Sequence, residues 1–185
     1  MGLFLGPSVQ VVMLIYFAAP LFSRAERSFN EQLTQKLEAL GFSVFLPQRD
    51  GAEKDKPPYD TLTPEEHRKA IFHLDKSQVL ACDIFLFILD GRVPDEGACV
   101  ELGIAYCQRD LQHSKKLLIG LQTDTRGAFL GSKLNVMIGV PLDYIASDED
   151  NVLEVLKQYQ ATGTLVEEEL RRNDLPGADS PPFSS

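Results

Sequence analysis

Two carboxylates stand where the helical pattern around them is apolar or small. Asp75 has Ile71 and Phe72 one turn before it and Val79 and Cys82 one and two turns after it; Glu101 has Gly97 and Ala98 before it and Ile104 and Ala105 after it. At helical spacing each acid projects from the face meant for the core. Burying an acid without partners is costly, so each must be hydrogen-bonded, paired or kept for a reaction. Two such acids beside one crevice suit glycosyl transfer, in which one attacks the anomeric carbon and the other delivers a proton to the leaving group. Taken singly, either fits equally well as a structural acid that caps a loop or pairs with an arginine. Gly97, Ala98 and Gly103 would let a sugar approach the helix backbone, and their other use is close packing of helix on sheet.

The elements that must position these acids follow from periodicity. Val11 to Phe17 is an unbroken apolar run of β-formers, as expected of a strand buried on both faces in a parallel sheet. Phe29, Leu33, Leu37 and Leu40 recur at helical spacing and stop at Gly41, and Phe42 to Leu46 makes a second short strand. Residues 48–63 are polar and rich in turn formers, which predicts a long loop. Thr63, Pro64, Glu65 and Glu66 carry an N-cap, a proline at the first helical position and acids in the first turn, so a helix should run from there to about Cys82. Asp83 to Leu89 is a third buried strand, Ala98 to Arg109 a helix, and Lys116 to Leu121 a fourth strand. A short helix near Asn135, a fifth strand around Pro141 to Ile145 and a helix from Asp148 to Tyr159 complete the pattern.

Strands alternating with helices through short connections imply α/β architecture: a single doubly wound domain over residues 1–172, with a five-stranded parallel sheet in the flavodoxin-like order 2-1-3-4-5 and helices on both faces. Residues 173–185 lack apolar periodicity and read as a disordered tail. In such sheets ligands bind beyond the carboxyl ends of the strands, where Tyr16, Gln48 and the segment Asp90 to Asp95 converge.

Composition narrows the ligand. A formal charge of −9 and a pI near 4.8 leave no basic stripe for a nucleic acid polymer. Cys82, Cys99 and Cys107 form no metal-binding or redox spacing and read as reduced thiols of a cytoplasmic protein. His67, His73 and His113 form no HExxH pattern, so no metal is expected. No GxGxxG, P-loop or GxSxG pattern follows a strand, and no cofactor is expected. The apolar stretch from Met1 to Phe22 has no basic residue before its apolar run and is interrupted by Pro20, which favours a buried strand over a signal peptide; no window is long enough to span a membrane.

Four ordered blocks then carry a resemblance: Tyr16-Phe17-Ala18-Ala19-Pro20-Leu21-Phe22, Asp75 eight residues before Asp83, Pro94-Asp95-Glu96-Gly97 followed by Glu101-Leu102-Gly103, and Asn135-Val136-Met137. Together they resemble the nucleoside 2-deoxyribosyltransferases over about residues 11 to 145. The resemblance implies that Glu101 is the nucleophile, that Tyr16 positions its carboxylate, and that Asp75 contacts the nucleobase and assists its protonation. It further implies that Asp95 holds sugar hydroxyls and that Gln48 helps to read the base. Asn135 and Met137 would come from a neighbouring subunit of a homo-oligomer. The implied substrates are 2′-deoxynucleosides and free nucleobases, the reagents of nucleoside salvage. Two rivals stay open. One is a 2′-deoxynucleoside 5′-monophosphate N-glycosidase, whose relatives tend to carry serine where this chain has Asp95 and Asn135; Arg24 and Arg27 could then grip the phosphate. The other is a nucleotide-sensing module that kept the fold without the chemistry.

Overall fold

The computed structural model describes residues 12–124, 126 and 134–165. The expected start of the first strand at Val11 and the tail from residue 173 lie outside them. Five parallel strands form one sheet in the order β2-β1-β3-β4-β5, with β1 at Leu14–Ala18, β2 at Ser43–Phe45, β3 at Ile84–Ile88, β4 at Leu117–Leu121 and β5 at Tyr144–Ala146. This is the order expected from the sequence. The helices are α1 (Arg24–Ala39), α2 (Pro47–Asp50), α3 (Pro64–Ala81), α4 (Glu96–Gln112), α5 (Val136–Gly139) and α6 (Glu149–Thr162).

Strand side chains alternate between faces, so each apolar strand feeds two cores. Ile15, Phe17, Val44, Ile84, Leu86, Ile88, Ile119 and Leu121 pack with Leu33 and Leu37 of α1 and Val152, Val155 and Leu156 of α6. Tyr16, Ala18, Phe45, Phe85, Phe87 and Leu118 point the other way, toward Val79 of α3 and Ala98, Leu102 and Ala105 of α4. Acidic side chains at the starts of strands bind the neighbouring backbone: Asp83 accepts from the Leu14 N–H at 2.8 Å and Asp143 from the Leu118 N–H at 2.8 Å.

Several boundaries differ from the sequence reading, and three of the differences have a plain physical cause. The segment from 48 to 63 is not all loop, because Pro47 starts the short helix α2, Asp50 accepts from the Leu46 N–H, and the Arg49 guanidinium reaches the Val44 carbonyl. The His67 ring also meets the Ala52 carbonyl at 2.6 Å and ties the rest of the segment to α3. Helix α4 begins at Glu96 rather than Ala98, since the Asp95 side chain caps it by accepting from the Ala98 N–H at 2.9 Å. Strand β5 starts at Tyr144, three residues after Pro141, which has no N–H to give a ladder.

Candidate active site

Tyr16, fully buried in the middle of β1, rises from the sheet face covered by α3 and α4. Its phenol donates to Glu101 Oε1 at 2.7 Å, across from the second turn of α4. The register of the sheet puts Phe45 and Phe85 directly beside Tyr16, and the three rings stack with centroids 5.6 and 5.7 Å apart and interplanar angles of 15° and 10°.

Asp75, on the fourth turn of α3, and Asp95, at the cap of α4, are close enough to Glu101 for their charges to act on it. Burial is the largest influence on Glu101 and pushes its carboxyl up to about 7; the Tyr16 hydrogen bond pulls it down, and the like charges of Asp75 and Asp95 raise it again. Asp75 is pushed up to about 6 by burial, and its Oδ1 is buried with no hydrogen-bond partner among the described residues. Tyr16 is held above its ordinary value by burial and by the Glu101 and Asp75 charges, so it remains a donor at every pH of interest. Glu101 and Asp75 interact through their charges, so their titration toward neutrality belongs to the pair rather than to either residue. Tyr16 is the interaction that favours charge on Glu101, and Asp75 is the second carboxyl whose protonation reaches toward neutrality.

The remaining expected residues fall into distinct places. Gly97 is exposed on the first turn of α4, where an added Cβ would come within 3.1 Å of Asp95 Oδ1. Gly103 faces open space, so packing of helix on sheet does not account for it. Gln48 lies on α2 with its amide committed to α1: Oε1 accepts from Asn30 at 3.0 Å and Nε2 donates to the Arg27 carbonyl at 2.9 Å. Asn135 caps α5 by accepting from the Met137 N–H at 2.9 Å, and both residues are exposed, Met137 by 78 %. They therefore sit on the surface, whereas Tyr16, Asp75, Asp95 and Glu101 come together.

Asp90, only loosely marked in the sequence, joins the ends of β3 and β4 by accepting from the Thr123 and Asp124 N–H groups at 2.7 and 2.8 Å and from the Thr123 hydroxyl. It lines a cavity of about 350 Å³ with Pro20, Ser23, Asn30, Ile88 and Gly91, at the carboxyl ends of β1 and β3 where the helices switch faces. Ligands of open α/β sheets bind at such a point, and this cavity is lined by none of Tyr16, Asp75, Asp95 and Glu101. Cavities of about 330 and 650 Å³ lie at the opposite end of the sheet, around Lys116 and Tyr159, away from the carboxylates. Among the described residues no group of His, Cys, Asp and Glu is arranged to hold a metal.

Comparison with known proteins gives the family and the fold. The model of the family described as nucleoside 2-deoxyribosyltransferase matches residues 15–169. Among solved structures, a conserved protein from Enterococcus faecalis V583 is 28% identical, with 80% of this chain and 99% of that one covered and a TM-score of 0.62. The 2-deoxyribosyltransferase from Bacillus psychrosaccharolyticus is similar in fold at 24% identity, covering 76% of this chain and 90% of its own, with a TM-score of 0.60. That from Leishmania mexicana is similar in fold at 18% identity, 82% and 99% coverage and a TM-score of 0.55. No curated protein matches. With the match running through all five strands and the carboxylate cluster, the chain is an enzyme of the nucleoside 2-deoxyribosyltransferase family.

Proposed function

We propose that the protein moves 2-deoxyribose between nucleobases through a covalent ester on Glu101. The observation that carries the reading is the Tyr16 hydrogen bond to Glu101 Oε1 inside a half-buried cluster of like-charged acids. It stabilises the ionised carboxylate and occupies one oxygen, so Oε2 is the atom that attacks C1′. As the C1′–N bond breaks, its electron pair passes to the base nitrogen and Asp75 supplies the proton. The transition state is oxocarbenium-like, and the ester that forms inverts C1′. A second base then attacks C1′ from the opposite face, its proton returns to Asp75, and the Glu101 carboxylate leaves. Two inversions give net retention, and water in place of the second base gives slow hydrolysis. A 2′-hydroxyl would need room beside Glu101 and Tyr16, which favours deoxyribose.

Asp95 accepts sugar hydroxyls through the oxygen not used to cap α4. Its charge repels a 5′-phosphate, which supports a free nucleoside as donor over the 5′-monophosphate of the hydrolase reading. Gln48 reads the base only after releasing its bonds to Asn30 and Arg27. A neighbouring copy of the chain completes the site with its Asn135 and Met137. In support, Val136 and Met137 on α5 and Val140 just after it leave apolar surface uncovered, as do Ile71 and Phe72 on α3 and Val100 on α4. Among the described residues no helix is long and apolar enough to cross a membrane; we take the enzyme to be cytoplasmic and to act in nucleoside salvage.

Incubation with a 2′-deoxynucleoside and a different free base tests the reading. The swapped nucleoside is the expected product. Release of base from the 5′-monophosphate alone would favour the hydrolase, and no turnover of either would favour a sensor.

A further inference from the structure

Phe45, Tyr16 and Phe85 occupy one register row across β2, β1 and β3, and the strand alternation turns all three to the same face. Rings standing off adjacent strands at strand spacing can lie almost parallel, and these do, within 15° and 10°. Phe85 is itself braced edge-on by Phe87, with centroids 6.3 Å apart and planes at 78°. The middle ring therefore has a wall on either side and no room to tilt, while its hydroxyl alone extends to Glu101. Neither phenylalanine carries a group that could do chemistry.

We propose that Phe45 and Phe85 are positioning residues that clamp the Tyr16 ring so that its hydroxyl stays on Glu101 Oε1. The clamp rests on the reading of Glu101 as nucleophile for its effect on rate, but not for its effect on the carboxyl itself. Substrate binding does not depend on it, because the flanking rings are buried beneath the carboxylate. Loosening the ring misplaces a hydrogen bond that must be in place during attack, a loss that falls on kcat.

The test is a double-mutant cycle with Phe85→Leu, Tyr16→Phe and the pair, repeated with Phe45→Leu at the less enclosed wall. Each protein is assayed for base exchange, and its Glu101 carboxyl is titrated by 13C NMR. Phe85→Leu should lower kcat about tenfold with KM within about twofold, and should move the Glu101 titration upward. In the Tyr16→Phe background it should change neither, because there is no hydroxyl left to hold. Equal effects of Phe85→Leu with and without the Tyr16 hydroxyl, or no effect on kcat and titration, would overturn the clamp. If Phe85→Leu does not fold, the Phe45→Leu cycle decides by the same criteria. If the unaltered protein shows no exchange, the transferase reading fails, and the titration cycle still decides the clamp.

Discussion

The charged groups acting on Glu101 among the described residues are Asp75 and Asp95, both of its own sign, and the polar group that restrains it is a neutral phenol. A carboxyl so placed stores folding energy against itself. Its value is raised from the ordinary 4.5 to about 7, so the folded state binds the proton more tightly than the unfolded chain does. Stability from this group is complete below the ordinary value and is lost as the pH rises through 7. Glu101→Gln keeps the shape and an acceptor for Tyr16 without the charge. It should therefore be more stable than the unaltered protein at pH 8 by about 2 to 3 kcal/mol, and the advantage should shrink as the pH falls toward 5, as measured by denaturant unfolding. A less stable variant at pH 8 would mean that Glu101 is held by attraction. Both acids were legible in the sequence because a charge on an apolar helix face is out of pattern; Gln48 was only half legible, since its position near β2 could be read but the bonds that turn its amide to α1 could not.

At the scale of elements, the start of α4 joins stability to substrate binding in one residue. Asp95 caps the helix through Oδ1 and, in our reading, offers its remaining oxygen to the sugar. Asp95→Ala should lose the cap, at about 1 kcal/mol, together with exchange activity. Asp95→Asn should keep the cap and most of the stability while raising KM for the nucleoside; equal stability for both variants would remove the capping role. The strands and most helices could be read beforehand because unbroken apolar runs and period-3.6 patterns mark each segment, and the strand order followed from their alternation. Helix α2 could not, since four residues give no period and it is held by the Asp50 bond to the Leu46 N–H at its own N-cap and by the Arg49 bond to the Val44 carbonyl of β2. The Phe45, Tyr16 and Phe85 row was hidden for another reason: register between strands remote in sequence is a property of the assembled sheet.

At the scale of the whole molecule, an apolar surface on α3, α4 and α5 lies uncovered beside a site that lacks two of its expected residues. In our reading, a second copy supplies Asn135 and Met137 and covers that surface. Glu101→Ala and Asn135→Ala proteins, each inactive alone, should recover exchange when mixed and allowed to trade subunits, because some sites then combine an intact Glu101 with an intact Asn135. Failure to recover activity in oligomers shown to be mixed would place Asn135 outside the site. The account as a whole turns on the bond between Glu101 and C1′. Acid quenching of the protein with a 2′-deoxynucleoside in the absence of acceptor base, followed by intact-mass and peptide mass spectrometry, tests that bond directly. The predicted result is protein heavier by one deoxyribosyl group, mapped to Glu101 and absent from Glu101→Gln; wild-type exchange by Glu101→Gln, or an adduct on a different residue, would contradict it.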